Sequence, residues 1–328
     1  MRVGYALVLV GILASGCTGN GSISYGNVGG TGSSSSSIAG SVGASTSTGG
    51  VGASSTTGGI GATTSSPTTA AASGSGGTAG GSLCGSSDLC TVYASSDTDL
   101  YQVDPTTNPP TQTHLCAFSG ALTSSDTVTD IATESQGTLF AITETDLYTV
   151  DPASNCAATH VASLSGTATT RWVCLSFSAT GTLLASDEDG NVVTINTTTG
   201  AITAAGSFGN GMGCSGDFVA VNAGTELTAP TIFATATQPS GTGTGNDQLV
   251  TLDSTNGYTA TILGDTGYKA IYGLGYVGGT LYGFTHAGQT LQINPSTGAS
   301  TVLTTTSPVA AFSGGATTPL APQMPVFQ

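Results

Sequence analysis

Five copies of one short segment, spaced 41 to 57 residues apart, constrain this chain more than any other feature of its sequence. They are Leu100-Tyr101-Gln102-Val103-Asp104, Leu147-Tyr148-Thr149-Val150-Asp151, Val192-Val193-Thr194-Ile195-Asn196, Leu249-Val250-Thr251-Leu252-Asp253 and Thr290-Leu291-Gln292-Ile293-Asn294. The second and fourth residues are always apolar and the third is always Gln or Thr. That is the period-two alternation of a strand with one face in a core. The Asp or Asn that ends each copy suits an Asx-type turn into the next strand, so these acids read as turn residues rather than catalysts.

The intervals between those landmarks are 47 (104 to 151), 45 (151 to 196), 57 (196 to 253) and 41 (253 to 294). Four-stranded blades repeat at about 40 to 50 residues, and the excess of the third interval falls in a Gly/Thr loop between Gln238 and Asn246, too short to hide a blade. A full unit reads from Val128 to Gly166: an inner strand around Ile131, a second at Leu139 to Ile142, the landmark strand, and an outer strand near Val161 to Leu164. Val173 to Gly206 and Ile271 to Thr304 follow the same plan. The first copy, from Cys90, has no inner strand before it, while the leftover stretch Val309 to Gly315 aligns with Ile131 to Gly137. Joining the ends predicts an all-β, five-bladed β-propeller closed by a C-terminal strand, over residues 83–322, with 323–328 as a tail. The pattern resembles the quinoprotein-like and YVTN-type β-propeller repeats of exported bacterial proteins. The resemblance implies the fold and says little about activity.

At the N-terminus, Met1 and Arg2 precede an apolar run from Val3 to Leu13, then Ala14-Ser15-Gly16-Cys17. The run is too short to span a bilayer, and its arrangement is that of a signal peptide over residues 1–16. Here the chain resembles the lipobox of bacterial lipoproteins, which implies diacylglycerol on Cys17. Ala14 stands where that family usually has Leu, and ordinary cleavage after Gly16 is the alternative. Residues 17–82 are the lipidated cysteine and a stretch dominated by Gly, Ser, Thr and Ala, which cannot bury enough apolar surface to offset its ordering entropy. The expectation is a disordered tether with a coil dimension on the order of 45 Å. Thr18 after the cysteine is not the Asp that retains lipoproteins in the inner membrane of enteric bacteria, so the resemblance points to the outer membrane or cell surface.

Charge narrows the partners. With 18 Asp and Glu against three Lys and Arg, the net charge is −15, and phosphate recognition by clustered cations is excluded, so no nucleic acid partner is expected. Six cysteines remain besides Cys17, an even number in an oxidising compartment, and although they allow 15 pairings the repeat favours Cys84 with Cys90, Cys116 with Cys156 and Cys174 with Cys214. His114 and His160 occupy one repeat position and read as structural echoes rather than as a metal pair. No GxSxG turn or phosphate loop is present. The one tryptophan, Trp172, reads as a packing residue, which argues against a quinone cofactor; no cofactor is assigned. Acidic residues gather in the turns between second and third strands (Asp97, Asp99, Glu144, Asp146, Asp187, Glu188, Asp189, Asp247). They would suit calcium, but the turn Asp187 to Asn191 is equally a hairpin turn and EF-hand spacing is missing, so no metal is assigned.

The basic residues left after the signal, Arg171 and Lys269, stand 98 residues apart just before inner strands. In a propeller that place opens on the channel mouth, where they could hold a small anion, with Asp130, Asp217 and Tyr272 on the next ring inward. The alternative is that each cation pairs with acidic turns such as Glu144 or Asp187. The sequence thus predicts a lipid-anchored envelope propeller with a non-catalytic binding or scaffolding role toward a protein, a glycan or a small anion. A hydrolase or lyase on the same face, or a purely structural surface protein, are the alternatives. Labelled palmitate should enter the wild type and not Cys17→Ser; incorporation into the variant would contradict the anchor.

Overall fold

In the computed structural model, residues 88–164, 171–238, 245–306 and 310–324 are described. Cys17, the 18–82 stretch, Cys84 and Val309 lie outside them. Among the described residues no helix is long and apolar enough to cross a membrane.

The chain is a five-bladed β-propeller. Blade 1 contains β1 (Val92–Ser96), β2 (Asp99–Asp104) and β3 (Thr111–Ala117). The short β4 (Ser119–Gly120) runs parallel to the outer strand of blade 2, which comprises β5 (Asp130–Thr133), β6 (Leu139–Ile142), β7 (Asp146–Asp151) and β8 (Ala157–Ser163). Blade 3 is β9 (Trp172–Phe177), β10 (Leu183–Asp187), β11 (Asn191–Ile195) and β12 (Ile202–Ser207). Blade 4 is β13 (Gly213–Val221), β14 (Thr231–Thr237), β15 (Gln248–Asp253) and β16 (Thr259–Asp265). Blade 5 is β17 (Ile271–Val277), β18 (Thr280–Thr285), β19 (Gln289–Ile293) and β20 (Ser300–Thr305). The last strand, β21 (Phe312–Ala316), pairs antiparallel with β1 and supplies the inner strand of blade 1.

The repeated segment is the third strand of every blade, and its alternation divides two cores. Leu100, Leu147, Val192 and Leu249, the first residues of their copies, face the next blade, while the second and fourth residues face the preceding one. Both faces are therefore covered, where the sequence alone suggested one, because each blade is sandwiched between two others. The fifth copy begins with the buried Thr290, whose hydroxyl accepts from Gln112 Nε2 of blade 1. Five apolar clusters result, one per interface, and Trp172 packs in the cluster between blades 2 and 3. Burial falls outward: β5, β6, β9 and β21 are buried throughout, whereas β12 has no buried residue.

The acids that end the copies make the expected turns. Asp104, Asp151, Asn196, Asp253 and Asn294 each accept, through Oδ1, the backbone N–H two residues on, at 2.8 to 3.0 Å. Cys116–Cys156 ties blade 1 to blade 2, and Cys174–Cys214 ties blade 3 to blade 4, as the repeat alignment implied. The histidine echoes recur as one module. His114 Nε2 donates to Asp99 at 2.8 Å and packs edge-on to Tyr101; His160 Nε2 donates to Asp146 at 2.9 Å and packs edge-on to Tyr148. Burial works to raise the carboxyl pKa of Asp99 and Asp146, but the hydrogen bonds, from Thr98 and His114 on one and from Ser163, Thr145 and His160 on the other, outweigh it and hold both below the usual value.

One register differs from the sequence reading. Gly315 pairs with Ala94 as Ile131 pairs with Ala141, so Gly315, not Val309, is the counterpart of Ile131. The strand opens on Phe312, the last residue of the apolar run, and places Gly315 where the other inner strands carry Ile131, Leu175, Phe218 and Leu274. Beyond it the chain crosses the opposite end of blades 5 and 4: Thr317 accepts from Tyr276 N at 3.0 Å, and Gln323 Oε1 accepts from the amides of Glu226 and Leu227 at 2.9 Å. Removing residues 310–328 should expose β1 as an edge and lower the melting temperature by roughly 10 °C or more, as expected for the loss of several kcal/mol. An unchanged melting curve would place closure elsewhere.

Candidate functional site

The inner strands break their pairing at one common level. Opposite β1, β10 and β18 the extra residues are Ser313, Val173 and Tyr272, and in β13 the register jumps between Cys214 and Phe218, leaving Ser215, Gly216 and Asp217 opposite a single residue. A bulge re-aims the side chain it carries. Thr129, at the same level in blade 2, hydrogen-bonds through its N–H to Ile142 O at 2.9 Å. Thr129, Val173, Gly216, Tyr272 and Ser313 thus form one ring, and all five line a cavity of about 320 Å³ at the channel mouth, together with Asp97, Arg171, Glu188, Ser215 and His286. Every blade contributes. Gly216 is required here, because a Cβ on it would lie 2.5 Å from Tyr272 Cα.

A wider groove of about 490 Å³ lies outside, between β3 and β20, lined by Tyr101, Pro109, Gln112, His114 and Thr304 among others. It draws on two blades only, and its Tyr101–His114 pair recurs as Tyr148–His160, so packing accounts for it. The mouth is the candidate site.

Arg171 stands on the rim as the sequence suggested, and it is held by acids: Nε lies 3.1 Å from Glu144 Oε1 and Nη1 lies 3.9 Å from Glu188 Oε1. Lys269 does not line the mouth; its ammonium lies over Gly245, and among the described residues it forms no ion pair. The reason is register. Glu188 N donates to Arg171 O as His286 N donates to Ala270 O, so Ala270 is the counterpart of Arg171, and a one-residue slip turns Lys269 to the other side. Tyr272 lines the basin with its ring centroid 5.6 Å from that of His286.

Asp130 and Asp217 lie one residue deeper than the ring, fully buried. Asp130 Oδ2 accepts from Leu175 N at 2.6 Å, while Oδ1 accepts from Ile131 N at 2.7 Å and from Gly315 N at 3.3 Å. Asp217 Oδ2 accepts from Leu274 N. These carboxyls therefore serve the backbone of neighbouring blades rather than the basin. Burial pushes both well above the usual carboxylate range, and for Asp130 the adjacent Asp217 adds to it. Asp247, also buried, accepts from Ile271 N at 2.7 Å and from Ser215, and burial raises it as well. In the acidic turns, Asp187 is engaged by Asn191 N and Nδ2, both at 2.8 Å, the hairpin role that its sequence also allowed.

Sequence reasoning missed Thr129, Ser215, Gly216, His286 and Ser313. Small polar residues at bulges carry no periodic signal; the acids set in the apolar inner strands at 130 and 217 were the one trace of this level.

No protein-family model matches the chain, and no curated protein does. Solved structures similar to it include a protein of unknown function from Bacteroides thetaiotaomicron, at 11% identity and TM-score 0.41, covering 64% of this chain and 56% of that one. A chain of a nidogen/laminin complex is similar at 8% identity and TM-score 0.47, covering 69% and 97%. An auxiliary nutrient binding protein from Bacteroides ovatus is similar at 11% identity and TM-score 0.38, covering 65% and 56%. Two of these three proteins are thus much longer than the part that matches.

Proposed function

We propose that this is an exported, lipid-anchored binding protein of the cell envelope whose channel mouth takes a small, neutral, hydroxyl-rich ligand derived from a glycan. The observation that carries the reading is the composition of one basin: the Tyr272 ring, the hydroxyls of Thr129, Ser215 and Ser313, the His286 imidazole, and the carboxylates of Asp97 and Glu188. An aromatic face with convergent donors and acceptors suits a sugar ring, and about 320 Å³ lies at the small end of ligand pockets.

Charge argues against the anion. Among the described residues, Arg171 is the one Lys or Arg in the lining and is already paired with Glu144 and Glu188, two acids share the lining with it, and the chain carries −15 overall. An anion would meet an unfavourable field and would have to compete for Arg171. Anchoring rests on Cys17: two or three acyl chains hold stably where one is marginal, and the 18–82 stretch would let the propeller reach away from the bilayer.

Calorimetry of the mature protein against neutral mono- and oligosaccharides, uronic acids and amino acids tests the site. At least one neutral saccharide should bind, Tyr272→Ala should weaken it about tenfold or more, and Tyr272→Phe should retain it. Binding of uronic acids alone, binding indifferent to Tyr272→Ala, or turnover of the saccharide would overturn the reading.

A further inference from the structure

The acid pair beneath the mouth has a chemistry of its own. Asp130 and Asp217 come from equivalent places in blades 2 and 4, the position occupied by Cys174, Gly273 and Gly314 in the other three. Gly314 gives the Asp130 carboxyl its room, and Gly273 admits the backbone of Gly314 beside it. A Cβ on Gly314 would lie 2.5 Å from Asp130 Oδ1, and one on Gly273 would lie 2.5 Å from Gly314 O. The N–H of Gly315 lies against both carboxyl groups, so the two acids meet on the axis. Asp217 Oδ1, wholly buried, finds no donor among the amides and hydroxyls around it.

Two ionised carboxylates in contact and out of water repel one another at low dielectric, and each also bears its own desolvation cost. The surroundings offer no countercharge. Besides the two acids, the titratable residues of the five inner strands are Tyr272 and Tyr276 on β17 and the disulfide-bonded Cys174 on β9 and Cys214 on β13, with none on β21. None of these is a cation. The amides of Ile131, Leu175, Leu274 and Gly315 direct their positive ends at the carboxyls, an arrangement that accommodates one negative charge and disfavours a bound metal cation. Among the described residues no third His, Cys, Asp or Glu gathers with them.

We propose that Asp130 and Asp217 share a single proton on the propeller axis, forming one hydrogen-bonded acid pair that carries one negative charge instead of two. The proton sits between the carboxyls, with Asp217 Oδ1 as one of the two oxygens it joins. The other oxygens remain acceptors for the blade amides. The pair titrates as a unit, and its burial accounts for the raised values of both members. The sign of the consequence follows. The native pair retains a proton that unfolded aspartates release above about pH 4, so its contribution to stability is greatest at acid pH and declines as pH rises toward the pair's own titration.

Infrared difference spectroscopy on the full mature protein tests this directly. At neutral pH the wild type should show the C=O stretch of a buried protonated carboxyl, and Asp130→Asn and Asp217→Asn should each lose it. Should a variant fold poorly, the wild-type spectrum alone decides: absence of that band at neutral pH overturns the proposal, as does a band that vanishes on adding calcium. As a second readout, above about pH 5 the folding constant of the wild type should fall up to about tenfold more per pH unit than that of Asp217→Asn, since one proton is at stake. Asp247, raised by its own burial, contributes equally to both proteins and drops out of the comparison. Equal slopes would also overturn it.

Discussion

The hydrogen bonds from blade amides to two buried carboxyl groups on the axis hold the centre of this molecule together. Asp130 reaches from blade 2 to blades 3 and 1, and Asp217 reaches from blade 4 to blade 5. The inner strands lie where neighbouring blades converge, so an amide there that points away from its own sheet needs an acceptor from another blade. Each such bond contributes about 1.5 to 3 kcal/mol when its acceptor is charged, and an amide left without one costs comparable energy. The disulfides add two further ties: Cys116–Cys156 joins blades 1 and 2, and Cys174–Cys214 spans the 3–4 junction, which neither carboxyl bridges.

The mouth is a consequence of that centre. Gly314 must be small to admit Asp130 and Gly273 to admit the backbone of Gly314, and the strands bulge one residue earlier, where Tyr272 and Ser313 turn into the basin. In blade 4 the same requirement produces the larger bulge at 215–217, which sends Asp217 to the axis while Ser215 and Gly216 remain at the mouth. The basin lining and the axial staple are therefore adjacent residues of the same strands. A ligand in the basin would rest on a rigid floor, which suits recognition more than it suits conformational switching.

The sequence revealed what recurs at a fixed spacing and little that does not. The third strand of each blade, its Asx turn and the Tyr–His–Asp module of blades 1 and 2 repeat in register, and the repeat alignment also brought the two disulfide pairs together across neighbouring blades. The closing strand was found in the right part of the chain but in the wrong register, because Gly314 is kept small by Asp130 and Gly315 by the backbone of Leu274, demands invisible to hydrophobic pattern. Arg171 was placed on the rim correctly, whereas Lys269 fell one residue out of step, and in a strand one residue decides the face. Gly216 and Ser313 join the ring at bulges and Thr129 just before β5, placements that leave no periodic trace in side-chain type.

The central claim is that axial carboxyls bind the blades into one cooperative unit. Native-state hydrogen exchange at the amides of Leu175, Leu274 and Gly315 measures it most directly. The account predicts that these three exchange only through global unfolding, with the same free energy and the same denaturant dependence as the whole domain. Exchange of any of them through a local opening, independent of denaturant and well below the global free energy, would contradict it.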